Sequence, residues 1–201
     1  MFSGQKMIKN IFSGMQKNVG EFLKPLPLHP NHITILSALL AASGAYFVFE
    51  KNIFGILLIF LSFACDGLDG AVARAKNLSS SFGAYLDGMS DRLVEFFALL
   101  PLLFDATLML PSLLLLFFGT CMTSFSKAYA SHRGVMDADA AAKMKTILPR
   151  TERVISIFIA LIFFVLGYLQ YAHYLLWLLA ALSIISFIYL QIEACKKKDN
   201  K

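Results

Sequence analysis

The chain has 201 residues, of which 58% are hydrophobic and 15% are charged, whereas a soluble domain is typically about 45–50% apolar and about 25% charged. This composition excludes an intrinsically disordered chain, because too few residues prefer water. It also excludes a small disulfide-stapled protein, since the chain contains only three cysteines. A soluble globule would lack the polar residues to cover its surface. The class of protein that fits the composition is therefore an integral membrane protein of one domain.

The first 30 residues are predicted to lie at the membrane surface. Apolar residues recur at helical spacing over residues 1–24, with lysines between them, which predicts an amphipathic helix in the headgroup region. Three prolines between residues 25 and 30 end this helix. We therefore expect a juxtamembrane segment at 1–30, a membrane domain at 31–193 and a basic tail at 194–201.

Six apolar stretches predict an all-α protein with six transmembrane helices. They lie near residues 33–49, 53–74, 83–104, 107–129, 153–169 and 172–193. If the N-terminus is cytoplasmic, 17 of the 18 lysines and arginines fall on the cytoplasmic side, and Lys51 is the exception. This positive-inside pattern predicts a multi-pass protein of the cell membrane with both termini in the cytoplasm.

Four aspartates interrupt the second and third apolar stretches. Asp66 and Asp69 are three residues apart, and Asp87 and Asp91 are four apart, so each pair shares one face of a helix. Antiparallel helices joined by a short loop bring the two pairs together at membrane depth, where like charges repel and are poorly solvated. One or two divalent cations would relieve this repulsion, and an all-oxygen ligand set favours magnesium, calcium or manganese over zinc.

Small residues accompany these aspartates. They are Gly67, Gly70, Ala71, Ala73, Gly83, Ala84 and Gly88. Close helix packing in a membrane uses such residues, and a phosphate or ribose needs the same clearance, so both interpretations fit. Arg74 lies two helical turns beyond Asp66, where its planar guanidinium could bind a diphosphate with two hydrogen bonds.

The chain resembles the CDP-alcohol phosphotransferases in this motif. All eight signature positions match in Asp66-x-x-Asp69-Gly70-x-x-Ala73-Arg74, eight residues, Gly83-x-x-x-Asp87-x-x-x-Asp91. The resemblance extends to the six spans, the juxtamembrane helix and residues 30–34, which open the first span. It implies an enzyme of phospholipid biosynthesis that transfers a phosphoalcohol group from a CDP-linked lipid, with a diacyl or archaeal ether tail, to a second alcohol and releases CMP.

The resemblance also implies roles for the signature residues. Asp66, Asp69 and Asp87 would bind two Mg²⁺ or Mn²⁺ ions, and Asp91 would be the general base and a further metal ligand. The predicted CDP site consists of Asp66, Asp69, Gly70, Ala73, Arg74 and Gly83. A general base is needed because a hydroxyl is a poor nucleophile until its proton is removed. The family resemblance further implies a homodimer.

A second charged group surrounds the loop between the fourth and fifth stretches. Lys127, Arg150 and Arg153 flank apolar spans on the predicted cytoplasmic side, and cations there suit an anionic acceptor such as a sugar phosphate. Residues 124–128 and 150–153 resemble the phosphatidylinositol-phosphate and archaetidylinositol-phosphate synthase branch of the family. That resemblance implies that the three cations bind the phosphate of inositol phosphate. Tyr129 and Pro149 depart from the branch pattern, which often has arginine and an acidic residue there.

The sequence is also compatible with other functions. Glycerol 3-phosphate offers the same phosphate group as inositol phosphate, and a relative that joins CDP-inositol to inositol phosphate is another candidate. An ion-coupled transporter could also use the aspartates, although it would not need clearance for a nucleotide, and a non-catalytic scaffold would not need four clustered carboxylates. The predicted partners are a CDP-linked lipid, a phosphorylated polyol, the bilayer and a second copy of the chain. No nucleic acid is expected.

Overall fold

In the computed structural model, the residues described are Glu21 and 29–198, with side chains described as far as residue 196. Apart from Glu21, the predicted amphipathic helix over residues 1–24 lies outside this part. Within it every regular element is helical, in agreement with the predicted all-α class. The helices are α1 (Pro30–Phe49), α2 (Phe54–Ala75), α3 (Ser81–Leu103), α4 (Met109–His132), α5 (Ala138–Ala142), α6 (Arg150–Val165) and α7 (Leu169–Lys198).

Four of these helices are long and apolar enough to cross a bilayer, namely α1, α2, α4 and α7. Only 33–39% of their most apolar stretch is buried inside the chain, so most of each surface is apolar and faces outward, as lipid-exposed helices require. The third and fifth predicted spans are also helical. However, α3 carries four charged residues between Asp87 and Glu95, and α6 has only 16 residues, so neither has the length and composition of a simple span.

The described chain divides into two compact units. The first contains the residues up to Gly44 together with Leu57–Val94, and the second contains Ala45–Ile56 and the chain from Glu95 onward. All four signature aspartates belong to the first unit. Lys127, Arg150 and Arg153 belong to the second.

A tight connection between α2 and α3 sets up the aspartate motif in the first unit. Asn77 has a left-handed backbone (φ 56°), and the N–H of Leu78 donates to the carbonyl of Ala73 at 2.8 Å, which is the pattern that ends a helix and turns the chain. Ser80 then caps α3, because its Oγ accepts the N–H of Gly83 at 3.0 Å. The chain reverses within five residues.

Buried hydroxyl groups join α1 to α3 in the same unit. Ser37 Oγ donates to the Thr34 carbonyl at 2.7 Å, and Ser90 Oγ donates to the same carbonyl at 3.1 Å. The three residues are at most 4% exposed, so these bonds form where water is excluded and where unpaired hydroxyls would be destabilising. They fix α1 beside the segment of α3 that carries Asp87 and Asp91.

In the second unit α7 packs against both α4 and α6, around large side chains with no exposure such as Leu115, Ile157 and Leu176. The loop before α6 is attached to α7 as well. Ser186 Oγ accepts the N–H groups of Ile147 and Leu148, each at 3.0 Å. These contacts fix the entry to α6, which begins at Arg150 rather than near residue 153 as predicted. Both arginines consequently lie in its first turn.

The middle of α4 is π-helical over Leu115–Met122, a conformation that is rare and often associated with function. Gly119 lies in this segment, and the helix packs closely there. A Cβ at Gly119 would lie 2.8 Å from Ser183 Oγ and 3.1 Å from Arg153 Cδ. The glycine therefore provides space that the neighbouring helices use.

Lys51, the cation that lies apart from the predicted cytoplasmic group, has a structural partner. Its Nζ donates to the carbonyl of Phe164 at 3.3 Å, and it lies over the Phe164 ring. A cation is favourable at the C-terminal end of a helix, here α6. Burial lowers the pKa of Lys51 below its ordinary value, and the charge of Asp105 opposes that change.

We expect Gly119→Ala to destabilise the protein, because the added methyl group would lie closer to Ser183 Oγ than real side chains approach. Overpacking of this kind costs about 1–3 kcal/mol. Thermal unfolding in detergent measures the effect.

Gly88→Ala is the matched control, since a Cβ at that position meets no atom within 4 Å. Replacing a helical glycine with alanine stabilises by up to about 1 kcal/mol, so this variant should unfold at or above the wild-type temperature. Equal unfolding temperatures for the two variants would contradict the packing described for Gly119.

Candidate metal and nucleotide site

Three of the four signature aspartates form a cluster. Asp66 on α2 and Asp87 and Asp91 on α3 each offer one carboxylate oxygen, and these oxygens lie within 4.8 Å of one another. Asp66 is buried, and the other two are partly buried. The i, i+4 spacing on α3 and the tight α2–α3 connection produce this convergence.

The cluster has the properties of a divalent cation site. Oδ1 of Asp66 and Oδ1 of Asp91 are buried and accept no hydrogen bond within the described part, although both residues make other interactions. When carboxylate oxygens are close together and poorly solvated, the free energy of their ionised state is high. A bound hard cation lowers this free energy. The residues present therefore fit a divalent metal ion.

Asp69, the fourth predicted metal ligand, is held differently. Thr34 Oγ1 donates to its Oδ2, and the N–H of Gly70 donates to its Oδ1, both at 2.5 Å. Asp69 is 4% exposed and is not one of the three clustered carboxylates. Its charge is thus compensated by hydrogen bonds from α1 and α2.

A pocket in the first unit brings together most of the residues predicted to bind CDP. Five of those six line it, namely Asp69, Gly70, Ala73, Arg74 and Gly83, while Asp66 does not. Asn31, Thr34, Ser79, Ser80 and Asp87 also contribute to its wall. The pocket thus offers an arginine, carboxylates, hydroxyls and accessible backbone, which is the chemistry needed for a nucleotide with a diphosphate.

The glycines around this region differ in their surroundings. A Cβ at Gly67 or Gly88 would meet nothing within 4 Å, whereas a Cβ at Gly70 would lie 3.3 Å from Nη1 of Arg74. Close helix packing within the chain therefore does not explain Gly67 or Gly88. Open space beside the carboxylates fits the clearance that a phosphate or ribose requires.

One neighbour of the cluster, Arg92, is not among the residues predicted from the sequence. Arg92 Nη1 donates to Oδ2 of Asp91 at 2.9 Å and to the carbonyl of Gly88 at 3.0 Å. The contact orients the carboxylate of Asp91 and leaves its Oδ1 directed away from Arg92. Arg92 directly follows the last signature aspartate, so its charge was visible in the sequence, but its direction on the helix was not.

The second unit contains a buried ion-pair network. Arg153 donates through Nε and Nη2 to the two oxygens of Glu95, each at 3.0 Å, and Arg150 Nε donates to Glu95 Oε1 at 3.1 Å. Thr120 Oγ1 donates to Glu95 Oε2 at 2.6 Å. Glu95 is not among the residues predicted from the sequence, although a charge inside an apolar stretch is in itself a signal of function.

Lys127, the third residue predicted to bind the acceptor, contacts the α5–α6 loop. Its Nζ donates to the carbonyl of Met144 at 2.7 Å. An ammonium group has three N–H bonds, so this contact fixes its position without using all of its donors. The structure brings Arg150 and Arg153 together through Glu95 and holds Lys127 through Met144.

Comparison with known proteins identifies the family. The model of the CDP-alcohol phosphatidyltransferase family matches residues 27–186, which is most of the chain. The chain therefore belongs to this family, and the predictions of the family and of a membrane transferase are confirmed.

Two curated relatives have similar sequences. A bifunctional IPC transferase and DIPP synthase of Aquifex aeolicus is 34% identical over 178 residues, which cover 85% of this chain and 40% of that protein. The chain thus spans less than half of that relative. An archaetidylinositol phosphate synthase of Pyrococcus horikoshii is 31% identical over 184 residues, which cover 91% of this chain and 92% of that protein.

Solved structures of a phosphatidylinositol phosphate synthase from Mycobacterium tuberculosis share the fold. The form in complex with manganese and citrate has a TM-score of 0.75 at 25% identity and covers 89% of this chain and 88% of that one. The form with CDP-DAG bound has the same TM-score at 24% identity and covers 89% and 92% of the two chains.

Removal of one clustered carboxylate should weaken metal binding. We expect Asp87→Asn to lower the affinity for Mn²⁺ at least about tenfold, which is the scale observed when a residue that only supports a metal ligand is lost. Titration of the purified protein with Mn²⁺, followed by electron paramagnetic resonance, measures this affinity.

Asp139→Asn is the control, because Asp139 is an exposed carboxylate on α5. It should bind Mn²⁺ as the wild type does. Unchanged affinity in Asp87→Asn would show that the cluster is not the metal site.

Proposed function

We propose that the chain is a synthase of inositol phosphate lipids. It transfers a phosphatidyl or archaetidyl group from a CDP-linked lipid to a hydroxyl of an inositol phosphate and releases CMP. The observation that carries this proposal is the position of Asp87, which belongs both to the carboxylate cluster and to the pocket that contains Arg74. A metal site and a nucleotide pocket that share a carboxylate suit phosphoryl transfer.

The donor would bind in the pocket of the first unit. Gly70, Ala73 and Gly83 leave room for the backbone to approach the nucleotide, and Arg74 would bind the diphosphate. Asp66, Asp87 and Asp91, with Asp69 beside them, would hold Mg²⁺ or Mn²⁺, and four carboxylates suffice for two ions. Ions held there would supply charge that neutralises the diphosphate and stabilises CMP as the leaving group.

Asp91 is the proposed general base. Arg92 donates to its Oδ2, and its Oδ1 would accept the proton of the acceptor hydroxyl. The acceptor oxygen then bonds to the phosphorus that carries the lipid alcohol. The bond from that phosphorus to the bridging oxygen breaks, and the electron pair leaves with CMP.

The phosphate of the acceptor would bind to Lys127, Arg150 and Arg153. Both arginines lie in the first turn of α6, where the unpaired N–H groups of a helix also attract an anion. The similarity to an archaetidylinositol phosphate synthase over 91% of the chain supports inositol phosphate as the acceptor.

A second candidate reaction has one observation in its favour. The similarity to the bifunctional Aquifex aeolicus protein over 85% of this chain supports a reaction in which CDP-inositol is the donor and inositol phosphate the acceptor. Glycerol 3-phosphate remains the rival acceptor, because it carries the same phosphate. Membership of a transferase family sets aside the transporter alternative.

The membrane topology is part of the proposal. We infer six spans, with α3 and α6 completing the four long apolar helices, and with both termini and the site in the cytoplasm. The positive-inside distribution supports this orientation. The juxtamembrane helix at 1–30, the domain at 31–193, the basic tail at 194–201 and the homodimer are further parts of the proposal.

A panel of acceptors tests the reaction. We expect the purified protein with CDP-diacylglycerol or its archaeal ether counterpart, in Mg²⁺ or Mn²⁺, to release CMP fastest with myo-inositol 1-phosphate. Glycerol 3-phosphate, free inositol, serine and choline are the comparisons, and CDP-inositol replaces the lipid in a second series. Turnover with serine or choline and none with a phosphorylated acceptor would refute the proposal.

Asp91→Asn tests the base. The amide cannot accept the hydroxyl proton, so kcat should fall by about 10²–10⁴, the usual contribution of a general base. CMP release is the measurement, with Asp139→Asn as the control expected to keep wild-type activity. Normal turnover in Asp91→Asn would exclude Asp91 as the base.

Cysteine labelling tests the orientation. Cys195 is exposed near the end of α7, so a membrane-impermeant maleimide should label it only after the cells are permeabilised. In a cysteine-free background, a single cysteine introduced by Gln170→Cys, at the opposite end of α7, should react in intact cells. Labelling of Cys195 in intact cells would reverse the inferred topology.

A further inference from the structure

Glu95 is the most buried acidic side chain among the described residues of the second unit, and the proposed reaction does not use it. The residue is 1% exposed and lies on α3 among apolar residues. A buried carboxylate is strongly destabilising unless it is paired and hydrogen-bonded. Both of its oxygens accordingly accept hydrogen bonds from arginines, and Oε2 also accepts one from the Thr120 hydroxyl.

The arrangement of donors around Glu95 determines the direction of both guanidinium groups. Arg153 binds it through two parallel N–H bonds, a geometry that fixes the plane of the guanidinium. Arg150 binds it through Nε alone, which directs its terminal nitrogens away from the carboxylate. Arg153 is buried and Arg150 is 39% exposed, so the network is anchored inside the protein and reaches its surface.

The π-helical segment of α4 supplies the other side of the network. It places Thr120 on Glu95 and, one residue earlier, places Gly119 against the stem of Arg153. Thr120 is 1% exposed. It donates a hydrogen bond to Glu95, and no hydrogen bond described in the structure joins it to either guanidinium group. It therefore acts on the arginines only through the carboxylate.

The two arginines need such an anion for an electrostatic reason. They lie in the first turn of α6, where the helix dipole is positive. Two cations beside the N-terminal end of α6 are repelled by its dipole and by each other. A buried carboxylate between them offsets the repulsion and holds both in one geometry before any ligand arrives.

We propose that Glu95 is a positioning residue for the acceptor. It aligns Arg150 and Arg153 so that they bind the phosphate group of the acceptor without reorganising, and Thr120 holds Glu95 in place. The inference rests on the proposed function, since it assumes that these arginines meet a phosphorylated acceptor. It deepens that function by assigning acceptor recognition to a residue outside the family signature.

Steady-state kinetics with separate variation of donor and acceptor tests the role. We expect Thr120→Val to raise KM for inositol phosphate about tenfold, the effect of losing one hydrogen bond to a charged group. Glu95→Gln also removes the charge between the arginines and should raise this KM at least as much. KM for the CDP-linked lipid and kcat should stay within about twofold, because the donor binds in the other unit. Thr120→Ser keeps the hydroxyl and should restore the acceptor KM.

Three results would overturn the proposal. A lower KM for the acceptor in Glu95→Gln would mean that Glu95 competes with the phosphate for the arginines. A lower unfolding temperature with unchanged kinetics in both variants would mean that the network serves stability alone. Equal effects of Thr120→Val in the wild-type and Glu95→Gln backgrounds would mean that Thr120 does not act through Glu95.

Two features of the design keep the outcomes separate. If Glu95→Gln does not fold, Thr120→Val and Thr120→Ser still decide the question, because Thr120→Val removes one hydrogen bond and no charge. If the wild type releases no CMP with any phosphorylated acceptor, the proposed function itself fails. A wild type active on inositol phosphate with an unchanged acceptor KM in Thr120→Val refutes only the role of Glu95.

Discussion

Carboxylate charge inside apolar helices is the constraint on which the rest of this structure depends. Such a charge is unfavourable unless donors or cations compensate it, and each carboxylate here is compensated in its own way. Asp69 receives hydrogen bonds from Thr34 and a backbone N–H, and Asp91 is paired with Arg92. Glu95 lies between two arginines. The clustered oxygens of Asp66, Asp87 and Asp91 are the group for which a cation is the natural counterpart.

Compensation of this kind also explains local structure that hydrophobic burial does not. The hydroxyl-rich contact between α1 and α3 holds the Thr34 carbonyl beside Ser37 and Ser90, which in turn fixes Thr34 for its bond to Asp69. In the second unit, Thr120 and the arginines occupy the place that apolar side chains would otherwise fill. Polar groups thus specify which helices meet, while leucine and isoleucine fill the space between them.

Hydrophobic periodicity and local spacing are enough to predict the six long helices and the convergence of three of the four aspartates. Residues three and four apart on a helix share a face whatever surrounds them, so the convergence of Asp87 with Asp91 follows from the sequence. The beginning of α6 at Arg150 was less readable, because it depends on Ser186 binding the loop from another helix.

Contacts between distant residues were beyond sequence reasoning. Glu95 meets Thr120 across 25 residues and Arg153 across 58, and no local pattern reports such a pairing. The same holds for Asp69, whose partner Thr34 is 35 residues away, so the spacing that placed it with the other aspartates did not reveal its separate surroundings. Composition and pattern predict elements, whereas partners of buried charges require the tertiary structure.

The π-helical segment at Leu115–Met122 changes the helical register within α4. A π-helix holds more residues per turn than an α-helix, so side chains beyond it are offset from a regular helical register. Deleting one residue there would convert the segment to regular α-helix and leave Lys127 facing almost the same way relative to the residues before the segment, because the wide turn accommodates the extra residue. A relative with one residue fewer in its fourth span should therefore be aligned with the gap inside this segment and not in a neighbouring loop.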